Sequence, residues 1–213
     1  MLPALLFILF FSRTHYSTSL KIIFVTSIAA FALLFLTDYI PGKYQHYFYS
    51  LFILVEYICF ALFLWLNIRN ATFKKVMVLL SILFAIFIIL YTIFAKIRQL
   101  DSVSIGIESI LILGYSFFFL YELINSPKVL FITNDYRFWI VFGMILYLAG
   151  SFFMYIYAEQ IKNIAEITKF WFLTWVFYSL KALLFSIVIL IYYKQPKEIK
   201  TKAQTSMPYL DMI

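Results

Sequence analysis

The sequence predicts an all-α, polytopic membrane helix bundle, and three observations predict it. Hydrophobic residues fill 65% of the 213 positions, charged residues only 13%, and the mean hydropathy is +0.96, more apolar surface than one soluble core of this size can enclose. The apolar residues come in long runs, six of which reach the roughly 20 residues that a helix needs to cross about 30 Å of hydrocarbon. Most of the charges fall between the runs or at their ends. Runs of this length exclude a barrel, whose strands would alternate over only about 10 residues.

Taken in order, the first run, residues 1–11, gives only about 17 Å of helix, so it either continues to residue 16, thins the bilayer, or inserts partway. It lacks the basic start and small-residue cleavage site of a signal peptide, and we read it as a short first span. The next spans cover residues 20–40, 46–67, 75–97, 102–124, 138–158 and 170–193, which makes seven in all, or six if residues 1–11 do not cross. Residues 1–193 then form one transmembrane domain and 194–213 a short basic tail. Tyr39, Tyr44, Tyr47, Tyr155, Tyr157 and Trp171 fall at one set of span ends, and Trp65, Trp139, Tyr192 and Tyr193 at the other, as expected of amphipathic rings at headgroup depth. In 138–158, Gly143, Tyr147 and Gly150 share a helix face flanked by Ala149 and Ser151, a surface suited to close helix packing.

Basic residues set the expected orientation. Of 17 Lys and Arg, 11 lie in the alternate loops that include the tail, 5 lie in the opposite loops, and Lys181 lies within a span. The positive-inside rule places the tail in the cytoplasm, and Arg13 and Lys21 stay on that side whether or not the first run crosses. The net charge of +7 follows from this topology, so anionic lipid is the expected partner and nucleic acid is not.

Loops of about 5 to 15 residues leave no room between spans for a soluble catalytic or nucleotide-binding domain. Glycine-rich phosphate loops, nucleophile elbows and zinc patterns are absent from the sequence, so no cofactor and no metal are expected. Cys59, the single cysteine, reads as a small apolar residue, and His15 and His46 fall on opposite sides.

The informative residues are the polar ones at depth. Counted inward at 1.5 Å per residue, Glu56 lies roughly 15 Å from the outer interface, Lys181 roughly 17 Å and Glu108 roughly 9 Å. Glu56 and Lys181 can therefore meet, which avoids two isolated charges in a low dielectric. Thr174, Tyr178 and Lys181 form one stripe; Ser104, Glu108, Tyr115 and Glu122 form a second; Tyr49 and Glu56 form a third. All three should point inward. Glu56, Glu108, Lys181, Tyr178, Thr174 and Tyr115 are the candidate ligand-binding or switch residues; a buried polar knot that fixes helix register explains the same pattern without a ligand.

The segment Phe138-Trp139-Ile140-Val141-Phe142-Gly143, followed by Tyr178-Ser179-Leu180-Lys181, resembles the multi-helix membrane input modules that accompany bacterial sensor kinases, over about a third of the chain. The resemblance implies a non-enzymatic sensory or accessory module of the bacterial inner membrane, acting in trans on a membrane or cytoplasmic protein; association with a second copy is open. Three alternatives stand beside it. A transporter, small-molecule or proton-coupled, would favour broken helices, yet only five Gly and five Pro occur. A lipid-modifying enzyme would use Glu56 and Glu108 but lacks an evident nucleophile. A lysine in the seventh span and a carboxylate in the third also resemble the Schiff base and counterion of microbial rhodopsins; against this, Phe177 stands where the usual acidic residue would, and the sixth span has no proline.

Overall fold

The computed structural model describes residues 18–37, 39–94, 102–125, 132–160 and 164–194. They form six α-helices, α1 (Thr18–Thr37), α2 (Gly42–Asn67), α3 (Ala71–Phe94), α4 (Ser102–Ile124), α5 (Tyr136–Gln160) and α6 (Ile164–Lys194), with one 3-10 turn at Ile132–Asn134 and no strand among the described residues. Five stretches are long and apolar enough to cross a membrane: His46–Asn67, Ala71–Phe94, Val103–Ile124, Tyr136–Met154 and Phe172–Tyr192. This is a multi-pass membrane protein. The apolar stretch of α1, Thr18–Leu33, is shorter than these five. The expected seven-span count depends on residues 1–11, which lie outside the described residues, as do His15 and all of the basic tail except Lys194.

Local chemistry sets the helix starts. Pro41 precedes α2, where its missing N–H costs nothing. Asn70 begins α3 four residues earlier than expected because its Oδ1 accepts the Phe73 N–H at 3.0 Å. Asp135 does the same for α5, accepting the Arg137 N–H at 2.8 Å while also pairing with that residue's guanidinium. The last helix starts before its apolar stretch and runs for 31 residues, about 46 Å, because nothing in Ile164–Lys194 breaks it.

Successive helices alternate in direction. Ser19 at the start of α1 bonds Asn67 at the end of α2, and Tyr136 at the start of α5 packs edge-on against Tyr192 near the end of α6. Glu122 near the end of α4 accepts the N–H groups of Arg69 and Asn70 at 2.8 and 2.9 Å, clamping the α2–α3 turn. These contacts collect Lys21, Arg69, Lys74, Lys75, Arg137 and Lys194 at one end of the bundle, called here the basic end.

Helix α2 runs through the core, with Tyr57, Phe60, Phe63 and Leu64 almost fully buried against Ile112, Ile140, Met144 and Leu148. It packs on α1, α3 and α4; α4 packs in turn on α5, and α5 packs most extensively on α6. Helix α3 is peripheral. Met77, Phe84 and Ile88 are its buried residues, whereas Leu79, Ile82 and Ile93 turn outward, the arrangement expected of a helix that faces lipid.

The small-residue face of α5 is a packing surface. A Cβ added at Gly143 would meet Phe185 at 3.3 Å and Leu184 at 3.4 Å, and one added at Gly150 would lie 2.5 Å from the Phe177 ring. Glycine lets α5 and α6 approach this closely. Gly150→Ala should therefore destabilise the protein by about 1 to 3 kcal/mol through overpacking, whereas Gly114→Ala, where an added Cβ meets nothing within 4 Å, should change stability by less than about 0.5 kcal/mol. Equilibrium unfolding in mixed micelles measures both.

Candidate functional site

Four helices, α2, α4, α5 and α6, each send polar side chains into one buried cluster. Lys181 Nζ of α6 donates to Glu56 Oε1 of α2 at 2.6 Å, with the two side chains only 6% and 5% exposed. Tyr147 of α5 donates its hydroxyl to the other oxygen, Glu56 Oε2, at 3.1 Å. Three rings cover the ammonium: Nζ lies 3.5 Å from the ring centre of Tyr147, 4.6 Å from that of Tyr178 and 5.4 Å from that of Phe60. A carboxylate and the negative faces of aromatic rings together replace water around a cation that lipid cannot solvate.

Glu108 of α4 completes the cluster. It is 2% exposed and lies within electrostatic range of both Glu56 and Lys181, yet its Oε1 has no hydrogen-bond partner. The hydroxyls of Ser104 and Ser109 on α4 and of Ser50 on α2 are also buried without a partner. Glu56 also borders a shallow cleft between α1 and α2, lined by Thr26, Ala30, Leu33, Phe52 and Val55.

The structure gathers some of the expected residues and separates others. Glu56, Lys181 and Tyr178 meet directly, with Glu108 beside them. Thr174 is half-buried one turn before Tyr178, roughly 10 Å along α6 from Lys181. Tyr115 belongs to a different group: its hydroxyl lies 3.4 Å from that of Tyr57, which lies 2.8 Å from Ser81 Oγ. Ser81 donates to the Met77 carbonyl, so each hydroxyl has one proton to give only if Tyr115 donates to Tyr57 and Tyr57 to Ser81. This chain ties α4 to α2 and α3. Glu122, placed on the Glu108 stripe by spacing, leaves the cluster for the α2–α3 turn because it sits at the helix end. Tyr49 does not continue the Glu56 stripe inward; it is 43% exposed, and Ser50 and His46 are the buried residues in that part of α2.

Tyr147 is the residue whose role spacing did not reveal. Its interval to Gly143 and Gly150 marked it as part of a packing face, but a mid-span tyrosine must also place its hydroxyl, and that requirement points to an acceptor at the same depth. Cys59 is free and half-buried. Among the described residues no three His, Cys, Asp or Glu side chains come together as a metal-binding group. No family model, no curated protein and no solved structure matches this chain.

The geometry sets a stability expectation. Removing the ammonium with Lys181→Met strands a buried carboxylate and should cost on the order of 3 to 5 kcal/mol, while Glu56→Gln should cost less because a second carboxyl, Glu108, lies within electrostatic range of the same cation. The double variant should lose less than the two single losses added. Equilibrium unfolding of the four proteins in mixed micelles checks this; strict additivity would show that the two groups do not interact.

Proposed function

We propose that this protein is a non-enzymatic membrane module of the sensory or accessory kind, in which the Glu56–Lys181 pair sets the position of α6 and a partner protein reads that position. One observation carries the reading. Helix α6 packs chiefly on α5, and the buried ion pair of Lys181 with Glu56 ties it also to α2, so a charged contact links one helix to another across the bundle. A helix tied to its neighbour by a breakable polar contact is the kind of element that a switch can bias. The resemblance to sensor-kinase input modules supports the same reading. In full it comprises seven spans with a short first one over residues 1–11, an inner-membrane location, a cytoplasmic basic end and tail, and an effector acting in trans.

A proton-coupled or small-molecule transporter is the second reading. It is favoured by one feature, the carboxyl of Glu108 beside an ion pair that is already complete.

Two measurements test the proposal. Spin labels at Leu66 and Leu190, both exposed near the basic end of α2 and α6, should show a shifted or broadened distance distribution in Lys181→Met, on a background with Cys59→Ala. An unchanged distribution would remove the switch. Tyr44→Cys and Lys75→Cys should react with impermeant maleimide from opposite sides of the membrane, Lys75→Cys from the cytoplasm. Labelling of Lys75→Cys from outside would invert the topology.

A further inference from the structure

Away from the helix ends, the charged residues of the described spans are Glu56, Glu108 and Lys181, two carboxyls for one ammonium. If all three were ionised, the bundle would hold one uncompensated negative charge at bilayer depth. Burial at this level is costly enough that a carboxyl with no counter-charge takes up a cation instead. The geometry tells the two carboxyls apart. Glu56 has both oxygens engaged by donors, Lys181 at 2.6 Å and Tyr147 at 3.1 Å, the environment of a carboxylate. Glu108 Oε1 is buried and has no donor, although the carboxyl lies within electrostatic range of the same ammonium.

We propose that Glu108 is a proton-binding residue, so that the α2–α4–α5–α6 cluster holds one exchangeable proton beside the Glu56–Lys181 ion pair. The proton makes the cluster neutral. It also turns the Glu108 carboxyl from a pure acceptor into a donor as well, which suits a neighbourhood that contains the unpartnered hydroxyls of Ser104 and Ser109. The groups within electrostatic range of Glu108 from the packed helices are Glu56 and Tyr57 of α2 and Lys181 of α6; Tyr147 of α5 and Tyr178 of α6 surround the Glu56–Lys181 pair, Ser81 of α3 bonds Tyr57, and Tyr115 lies two turns along α4 itself. Phenols and hydroxyls of this kind carry no charge near neutral pH. His46, at the start of α2, stands ten residues from Glu56, about 15 Å along the helix, and lies outside the cluster. The count therefore closes with one proton, carried by Glu108.

This count stands independently of the signalling proposal, and infrared difference spectroscopy of the full chain in lipid vesicles tests it. At neutral pH the wild-type protein should show the C=O stretch of one protonated carboxylic acid. Glu108→Gln should abolish it. So should Glu56→Gln, because Glu108 then serves as the counterion of Lys181, and Lys181→Met should roughly double it, because both carboxyls then need protons. A wild-type spectrum with no protonated carboxyl overturns the proposal whether or not any variant folds. A band that survives Glu108→Gln and Glu56→Gln alike also overturns it, since the proton would lie elsewhere. A band that appears only when sodium and potassium are withdrawn would replace the proton with an alkali cation. Failure of this pattern would leave the spin-label result untouched, and the converse holds as well.

Discussion

One ion pair closes the bundle. Helices α2, α4, α5 and α6 form a ring in which α2 packs on α4, α4 on α5 and α5 on α6, and Lys181 joins α6 back to α2 through Glu56. Bringing two charges out of water costs several kcal/mol each, so the contact exists only because the ring supplies everything else: a second donor for the carboxylate and aromatic faces for the ammonium. The requirement is mutual. Without the four helices the charges could not be buried, and without the charges the last helix would keep its apolar packing through Phe185, Val188 and Ile189 but lose its ion pair to α2.

The rest of the interior follows from the absence of water. A hydroxyl inside a lipid-facing helix commonly satisfies itself by donating to the carbonyl four residues earlier, and Thr26, Ser27, Ser81, Thr92, Ser151 and Ser186 all do so. Ser50, Ser104, Ser109 and Ser116 do not. These four belong to α2 and α4, the helices that also carry the two carboxyls, so unmet hydrogen-bonding capacity concentrates on the side of the ring opposite α5 and α6. The α5–α6 contact is tight, with glycines against Phe177 and Phe185, whereas α2 and α4 carry buried hydroxyls that have no partner.

Much of this was legible in the sequence because membranes impose simple rules. Composition and run length gave the fold class, and counting residues from the interface put Glu56 and Lys181 at matching depth, which is why their contact could be expected across 125 positions of sequence. Helical spacing was less informative about direction. It placed Tyr115 on the face of Glu108 and Tyr49 on the face of Glu56, but a stripe says nothing of which neighbour covers it, and Tyr115 meets Tyr57 while Tyr49 stays exposed. Glu122 shows the same limit at a helix end: the backbone N–H groups of the α2–α3 turn are a stronger attraction for a carboxylate than the interior, and only the packing of α4 beside that turn reveals them.

The asymmetry of the ring explains how a local change could become a movement. On α5 and α6 the close glycine contacts at Gly143 and Gly150 fix the two helices against each other, since little sliding is allowed where a single methyl group would collide. On the other side Lys181 is paired with Glu56 of α2, and a second carboxyl, Glu108 of α4, lies within electrostatic range of that pair. On the proposal that Glu108 carries the exchangeable proton, loss of that proton would place a second anion on α4 within electrostatic range of the ammonium that Glu56 of α2 holds, and any displacement of α6 that followed would be carried along a continuous helix to Lys194 at the basic end.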